Sequence, residues 1–417
     1  MAQIKCAPAL LRRTRPLEKT TLTFPDYFKR ALPFLLLSTY GIFLCSYFIF
    51  DDYSDPYRFF ARVLFVFGIF VFAQGMRNIW RQPLFQITGL YMLYLLLSGF
   101  WSSPMEWFRL GQKLTISVYL LSFLAITQFL VQWNRGLFER MLQLCVLIAG
   151  VTAVVSILVF YSENPFPGTR LDGIGALTNV NIFANVYGIF ALLGMGFALQ
   201  APPGPLKGLL LAAVGVFICF AWFGQSRTAF VSMLIGLSTL AGLMLEERKI
   251  LYAAILAALA VTLTLLFPDV VEQALLRGKG LRPLIWTEVW AEAKSAPIFG
   301  HGLISEISVV SGETVFETVH NAYLQVFWQG GLVGLCLFLA LLGLAFRNAW
   351  TWGFQQRDYT VFCMLLFTAC TMMTGVDTLI ARPRDQWMLF WLPLAILLAY
   401  QSIARTPDTI NSSERLN

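Results

Sequence analysis

Lys207-Gly208-Leu209-Leu210-Leu211-Ala212-Ala213-Val214-Gly215-Val216-Phe217-Ile218-Cys219-Phe220-Ala221-Trp222-Phe223 holds a single charge, at its first residue. The polar turn Gly224-Gln225-Ser226-Arg227-Thr228 follows, and a second apolar run extends from Ala229 to Leu245. Each run has the length that takes an α-helix across a bilayer core, about 17–25 residues. Neither alternates polar with apolar residues, as a lipid-exposed barrel strand would. The pair reads as two membrane helices joined by a short turn that contains an arginine.

The same reading extends along the whole chain. It predicts an all-α polytopic membrane protein with about twelve spans, roughly at 31–50, 61–76, 84–100, 114–131, 141–161, 179–200, 207–223, 228–245, 250–267, 320–346, 358–376 and 386–404. Composition agrees. The chain is 58% hydrophobic and 13% charged, where a soluble protein carries roughly 25% charged residues. The seven cysteines, Cys6, Cys45, Cys145, Cys219, Cys336, Cys363 and Cys370, fall almost entirely inside apolar runs. That speaks against a disulfide framework and against a Cys/His metal site; no metal and no cofactor are expected.

Charge sets the sides. The first 30 residues carry Lys5, Arg12, Arg13, Arg15, Lys19, Lys29 and Arg30 with no apolar core, so residues 1–30 are expected as a cytoplasmic basic tail ahead of an uncleaved anchor. The net charge of +7 reads as a topology signal facing anionic lipid; the tail lacks aromatic interleaving, and no nucleic-acid partner is expected. Inner turns then receive Arg77, Arg81, Arg135, Arg140, Lys207, Arg248, Lys249, Arg347 and Arg357, and the tail at 405–417 is inside as well. The outer face receives Asp51-Asp52, Arg170 with Asp172, Arg227, the segment 268–319, His320, and Asp377 through Asp385.

His320 is one of only two histidines, and it stands where the long polar segment 268–319 re-enters an apolar run. Two roles are open on position alone: a proton acceptor or a residue at a helix end. Arg227 likewise marks either a substrate path or a snorkelling anchor. Segments as long as 268–319 are functional or disordered, and this one shows order. Over 284–296, Ile285 and Val289, with Trp286 and Trp290, recur at helical spacing. Pro283 suits a first turn and Pro297 a stop. The expectation is an amphipathic helix on the membrane surface with Arg282 at its start, followed by a flexible turn, Phe299-Gly300-His301-Gly302.

Arginine suits phosphate because its planar fork donates two parallel hydrogen bonds and stays charged. Arg170, Arg227, Arg282 and Arg382 or Arg384 on one face could cradle a diphosphate leaving group, and His320 could take a proton from an attacking hydroxyl. The Asp51-Asp52 pair is a competing constellation, of the kind that serves metal-dependent, lipid-linked glycosyl transfer. No Walker loop, Gly-x-Ser-x-Gly elbow or His-Glu-x-x-His motif is present.

Four local patterns carry a resemblance. They are Arg170-Leu171-Asp172-Gly173 with Thr178-Asn179-Val180-Asn181 and Ala184; Gln225-Ser226-Arg227-Thr228-Ala229; Arg282 with Trp286, Pro297, Gly300 and Gly302; and Val319-His320-Asn321 with Tyr323-Leu324 and Gly330-Gly331 before Gly334. In this order the chain resembles the O-antigen ligase family, within the group that also holds O-antigen polymerases and bacterial protein O-oligosaccharyltransferases. The match covers roughly the carboxy-terminal two-thirds.

The resemblance implies a glycosyltransferase C-like membrane fold with a large periplasmic loop between spans 9 and 10. It implies a donor polysaccharide on undecaprenyl diphosphate, a lipid A–core acceptor, and inverting, metal-independent transfer at the periplasmic face of a Gram-negative inner membrane. His320 would be the base, with Arg227 and Arg282 on the diphosphate. Arg170, Asn181, Asn321, Tyr323, Asp377 and Arg382 would bind substrate. Polymerase, protein O-oligosaccharyltransferase and transporter of an anionic lipid or solute stay open as alternatives. A chain that stops soon after its last span fits the protein-modifying enzymes least, and the absence of an obvious internal repeat disfavours a transporter.

Overall fold

The computed structural model describes residues 24–50, 56–73, 79–173, 179–245, 249–276, 281–311, 314–376 and 378–404. It is helical apart from one small hairpin. The helices are α1 (Phe24–Ile49), α2 (Pro56–Ala73), α3 (Pro83–Ser98), α4 (Trp107–Glu163), α5 (Val180–Gln200), α6 (Pro205–Phe223), α7 (Arg227–Met244), α8 (Lys249–Leu266), α9 (Pro268–Leu276), α10 (Arg282–Ala293), α11 (Ala322–Gln356), α12 (Thr360–Thr371) and α13 (Leu392–Ala404). Two antiparallel strands, β1 (Val309–Ser311) and β2 (Thr314–Phe316), pair Val309 with Phe316. Among the described residues, seven helices are long and apolar enough to cross a membrane. The protein is a multi-pass membrane protein.

Several expected boundaries shift. The spans expected at 114–131 and 141–161 lie in one helical stretch, α4, that breaks at Asn134 (φ −160°, ψ 93°). Asn134 Oδ1 accepts from the Leu137 amide at 3.0 Å, so a side chain inside the stretch caps its second half. Pro83, Pro205 and Pro283 each fall in the first turn of a helix, where an amide hydrogen has no intrahelical partner to lose. A five-residue π-helical turn, Trp387–Trp391, leads into α13.

α5 is buried along nearly its whole length and forms the centre of the bundle. A Cβ at Gly188 would lie 2.1 Å from the Phe367 ring, so α5 and α12 approach as closely as they do because no side chain intervenes. Buried polar groups pair between helices: Gln82 Nε2 donates to Gln128 Oε1 at 3.0 Å, and the Tyr40 and Thr127 hydroxyls meet at 2.9 Å. In a medium without water such pairs satisfy groups that would otherwise stay unbonded.

The second break in the bundle decides where the polar segment sits. α11 is interrupted at Gly331 (φ +59°). The turn 297–302 supplies the hydrogen bonds this break leaves open. His301 N donates to Trp328 O and Gly302 N to Gln329 O, each at 2.8 Å, while Leu332 N donates to Pro297 O at 2.8 Å. Gly300 and Gly302 have positive φ, +71° and +97°, and Gly331 opposes Gly300 so closely that a Cβ on Gly331 would lie 2.3 Å from Ile298 O. The turn Phe299–Gly302, expected to be flexible, is instead interlocked with α11.

Candidate active site

α10 is the amphipathic helix expected from the spacing, with ends at Arg282 and Ala293 rather than at 284 and 296. Ile285, Val289 and Ala293 form its buried stripe, packed with Ile307, Val309, Val319 and Trp328. Trp286 Nε1 donates to Val319 O at 2.9 Å. α10 therefore rests on the first turns of α11, and Arg282 is fixed relative to His320.

A cavity of about 530 Å³ opens at this junction, lined by Arg170, Asn181, Asn185, Arg227, Arg282 and His320, with Asn179, Gln225, Ser226, Thr228, Thr374 and Gly375 completing its wall. Of the residues expected to act together, Arg170, Asn181, Arg227, Arg282 and His320 converge here. The cavity is built from helix starts. Asn179 and Asn181 flank the start of α5, Ser226 is the N-cap of α7, Arg282 opens α10, and His320 precedes Asn321, the N-cap of α11. The positive ends of helix dipoles thus add to the arginines, a combination that favours an anion.

Each side chain has its own setting. Arg170 Nε donates to Gly224 O and its Nη2 to Asn181 Oδ1, both at 2.9 Å, so Arg170 ties the turn bearing Arg227 to the first turn of α5. The Thr228 and Thr374 hydroxyls meet at 2.7 Å, joining that turn to the end of α12. Arg227 is exposed into the cavity mouth, and His320 is half-buried. The His320 backbone has φ +53°, a conformation costing about 1–3 kcal/mol for a residue with a side chain and persisting where the surroundings enforce it. His320 Nε2 lies 3.1 Å from Thr318 Oγ1, a hydroxyl that can either donate to or accept from that ring nitrogen.

Other expected residues fall elsewhere. Asn321 Oδ1 accepts from Leu324 N at 3.0 Å, and Tyr323 Oη donates to Ala369 O at 3.1 Å; both reinforce the start of α11. They line a neighbouring apolar cavity of about 760 Å³ with Trp286, Trp290, Leu324 and Phe327. Arg382 lines a separate cavity with Arg58 and Arg62 of α2, away from His320. Asp377 lies outside the described residues, as do Asp51 and Asp52.

Sequence reading missed Asn185, which is buried with Oδ1 unpartnered. Its signal was present: Asn181 and Asn185 are four residues apart on α5 and share one face. The second histidine, His301, stacks on Trp328 with ring centroids 4.9 Å apart and has Nε2 3.1 Å from Glu292 O, which accounts for it structurally.

Comparison with known proteins completes the assignment. Residues 208–339 match a family model described as O-antigen ligase. The chain is 30% identical over 357 residues to a protein of Pseudomonas aeruginosa (strain PAO1) named O-antigen ligase, covering 84% of this chain and 86% of that one. The chain belongs to the O-antigen ligase family. The family match spans Arg227, Arg282 and His320, three residues that line the cavity.

Proposed function

We propose that the protein transfers O-polysaccharide from undecaprenyl diphosphate to a hydroxyl of lipid A–core, at the periplasmic face of a Gram-negative inner membrane, with both termini cytoplasmic and twelve crossings. The observation that carries the reading is the cavity in which Arg170, Arg227, Arg282 and His320 meet over converging helix starts.

The diphosphate of the donor lies against Arg227 and Arg282, while Arg170 and Asn181 hold the wall. Its polyprenyl chain leaves through the adjoining apolar cavity, whose Trp286, Trp290 and Phe327 offer the lining such a chain requires. The acceptor hydroxyl is oriented by His320, which takes its proton. The new bond forms between the acceptor oxygen and the anomeric carbon, on the side opposite the diphosphate. The bond from that carbon to the diphosphate oxygen breaks, and the leaving undecaprenyl diphosphate keeps the electron pair. Inversion follows from a single displacement. Fixed guanidinium groups and helix dipoles offset the charge that develops on the leaving oxygen, with no reorganisation at the moment of reaction.

The test is a lipopolysaccharide gel from a strain lacking the gene, complemented with the wild type or with His320→Ala. The expected result is a ladder with the wild type and bare core with the variant, while lipid-linked polysaccharide accumulates. Core bearing a single repeat in the deletion strain would identify a polymerase instead, and an unchanged ladder would overturn the assignment.

A further inference from the structure

Two more cavities connect to the His320 cavity through shared or contacting residues. The farther one, of about 630 Å³, is lined by Arg58 and Arg62 of α2, Gln112 and Thr115 of α4, and Arg382. Arg58 and Arg62 are four residues apart and share a helix face. No carboxylate lines the cavity among the described residues, and Arg58 Nε is buried with no hydrogen-bond partner. Trp107 and Phe108, at its rim, are 72% and 76% exposed, the placement of aromatic side chains at a bilayer's headgroup level.

The middle cavity, of about 480 Å³, is lined by Lys113, Glu317, Thr318, Gln325 and Gln329, and Gln112 belongs to its wall as well as to that of the arginine cavity. Amides, hydroxyls and charged ends of this kind are the side chains that hydrogen-bond sugar hydroxyls. Thr318 links it to the His320 cavity, because its hydroxyl contacts His320 Nε2 at 3.1 Å. The connected sequence is therefore a set of arginines, a hydrogen-bonding channel and the His320 cavity.

That order matches an amphiphile with phosphate at its lipid end, a glycan in its middle and a reacting hydroxyl at its far end. We propose that Arg58, Arg62 and Arg382 hold a phosphate of the acceptor's lipid moiety, and that the acceptor glycan crosses the cavity between Gln112 and Thr318 to reach His320. The inference rests on the transfer reaction proposed above. It assigns Arg382 to the acceptor rather than to the donor diphosphate. The ligand chemistry, a lipid-borne phosphate, has two possible sources in a bacterial membrane: a phosphorylated glucosamine lipid or a glycerophospholipid.

Binding to the full-length protein in nanodiscs tests it. The probes are diphosphoryl lipid A, monophosphoryl lipid A, phosphatidylglycerol and undecaprenyl diphosphate. Replacing three arginines with glutamine (R58Q/R62Q/R382Q) is expected to weaken diphosphoryl lipid A roughly tenfold or more, since charge-assisted bonds are lost. Undecaprenyl diphosphate affinity is expected to stay unchanged, and in transfer assays the acceptor KM rises while kcat is held. Monophosphoryl lipid A should bind more weakly than the diphosphoryl form. Unchanged lipid A affinity in the variant would overturn the proposal. So would a parallel loss of donor affinity, which would return the arginines to the donor site, or equal binding of phosphatidylglycerol and lipid A, which would make this a general phospholipid site. The exposed pair R62Q/R382Q gives the same comparison if the triple variant does not fold. Lipid A binding that depends on these arginines in a protein without transferase activity would keep the site and reject the reaction, so the two failures are distinguishable.

Discussion

Trp286 Nε1 donates to the carbonyl of Val319 across 2.9 Å, and this single bond joins the helix that begins with Arg282 to the residue before His320. The indole also lines the apolar cavity beside the site. Trp286→Phe keeps an aromatic ring, though a smaller one, and removes the donor, leaving the Val319 carbonyl short of a partner. A net hydrogen bond of this kind contributes about 0.5–1.5 kcal/mol. The expected outcome is a transfer rate lowered by roughly three- to tenfold with the protein still inserted, measured in membranes with purified donor and acceptor.

His320→Ala is expected to lower transfer by about 10²–10⁴, the usual contribution of a positioned proton acceptor. His320→Gln should behave alike, since glutamine can orient a hydroxyl but not take its proton at neutral pH. Single-turnover rates check this. A glutamine variant with near wild-type rate would reduce His320 to an orienting residue.

Arg227→Lys and Arg282→Lys keep the charge and lose the planar fork. Each is expected to reduce transfer about tenfold or more, because hydrogen bonds to charged groups contribute about 1.5–3 kcal/mol. Donor binding, measured with undecaprenyl diphosphate, should weaken in step. An unchanged donor affinity would place that arginine away from the diphosphate.

Asn321→Ala separates a cap from a substrate contact. The side chain accepts from Leu324 N, and losing such a cap costs about 0.5–2 kcal/mol of stability. The expected result is a lower unfolding temperature in detergent with most activity retained. Asn321→Ser, a capping residue of different shape, should restore stability.

Gly331→Ala addresses the break in α11. A Cβ there would press on the Ile298 carbonyl at 2.3 Å and sit on a backbone with φ +59°. Since the contact is with backbone, it cannot be relieved by a side-chain rotation. We expect poor accumulation of the variant and loss of activity, read by immunoblot of membranes. A stable variant with wild-type transfer would show that the interlock with 297–302 is dispensable.

Much of this arrangement was legible in the sequence because a membrane makes apolar length nearly sufficient. The spans around Phe217 and Leu237 needed no tertiary information, and Ile285 and Val289 announced α10 by spacing alone. Arg170, Arg227, Arg282 and His320 stood out as charged or titratable groups near the ends of apolar runs, where such groups are few. What stayed hidden depends on backbone geometry. The break between the two halves of α4 was legible, but that it is a kink at Asn134, with the Asn134 side chain capping the second half, could not be read from a polar stretch that resembles a loop. The rigidity of Gly300 and Gly302 depends on Gly331, about thirty residues away in sequence. That Asn321 caps α11 through its oxygen on Leu324 N, whatever else its side chain touches, is a matter of geometry that a polar residue beside a histidine does not announce. Arg382 shared a face with His320, yet a face is broad enough to hold separate cavities.

The interlock between 297–302 and Gly331 also orders the protein's birth. Residues 297–302 leave the ribosome before Gly331 does, so their hydrogen bonds to Trp328, Gln329 and Leu332 form only once the first turns of α11 have been made. α11 completes the turn and the turn completes α11, in one event. A nascent chain cut short of Gly331 has every arginine of the cavity and the Arg170–Asn181 and Trp286–Val319 bonds, but lacks the Leu332 amide that closes on the Pro297 carbonyl.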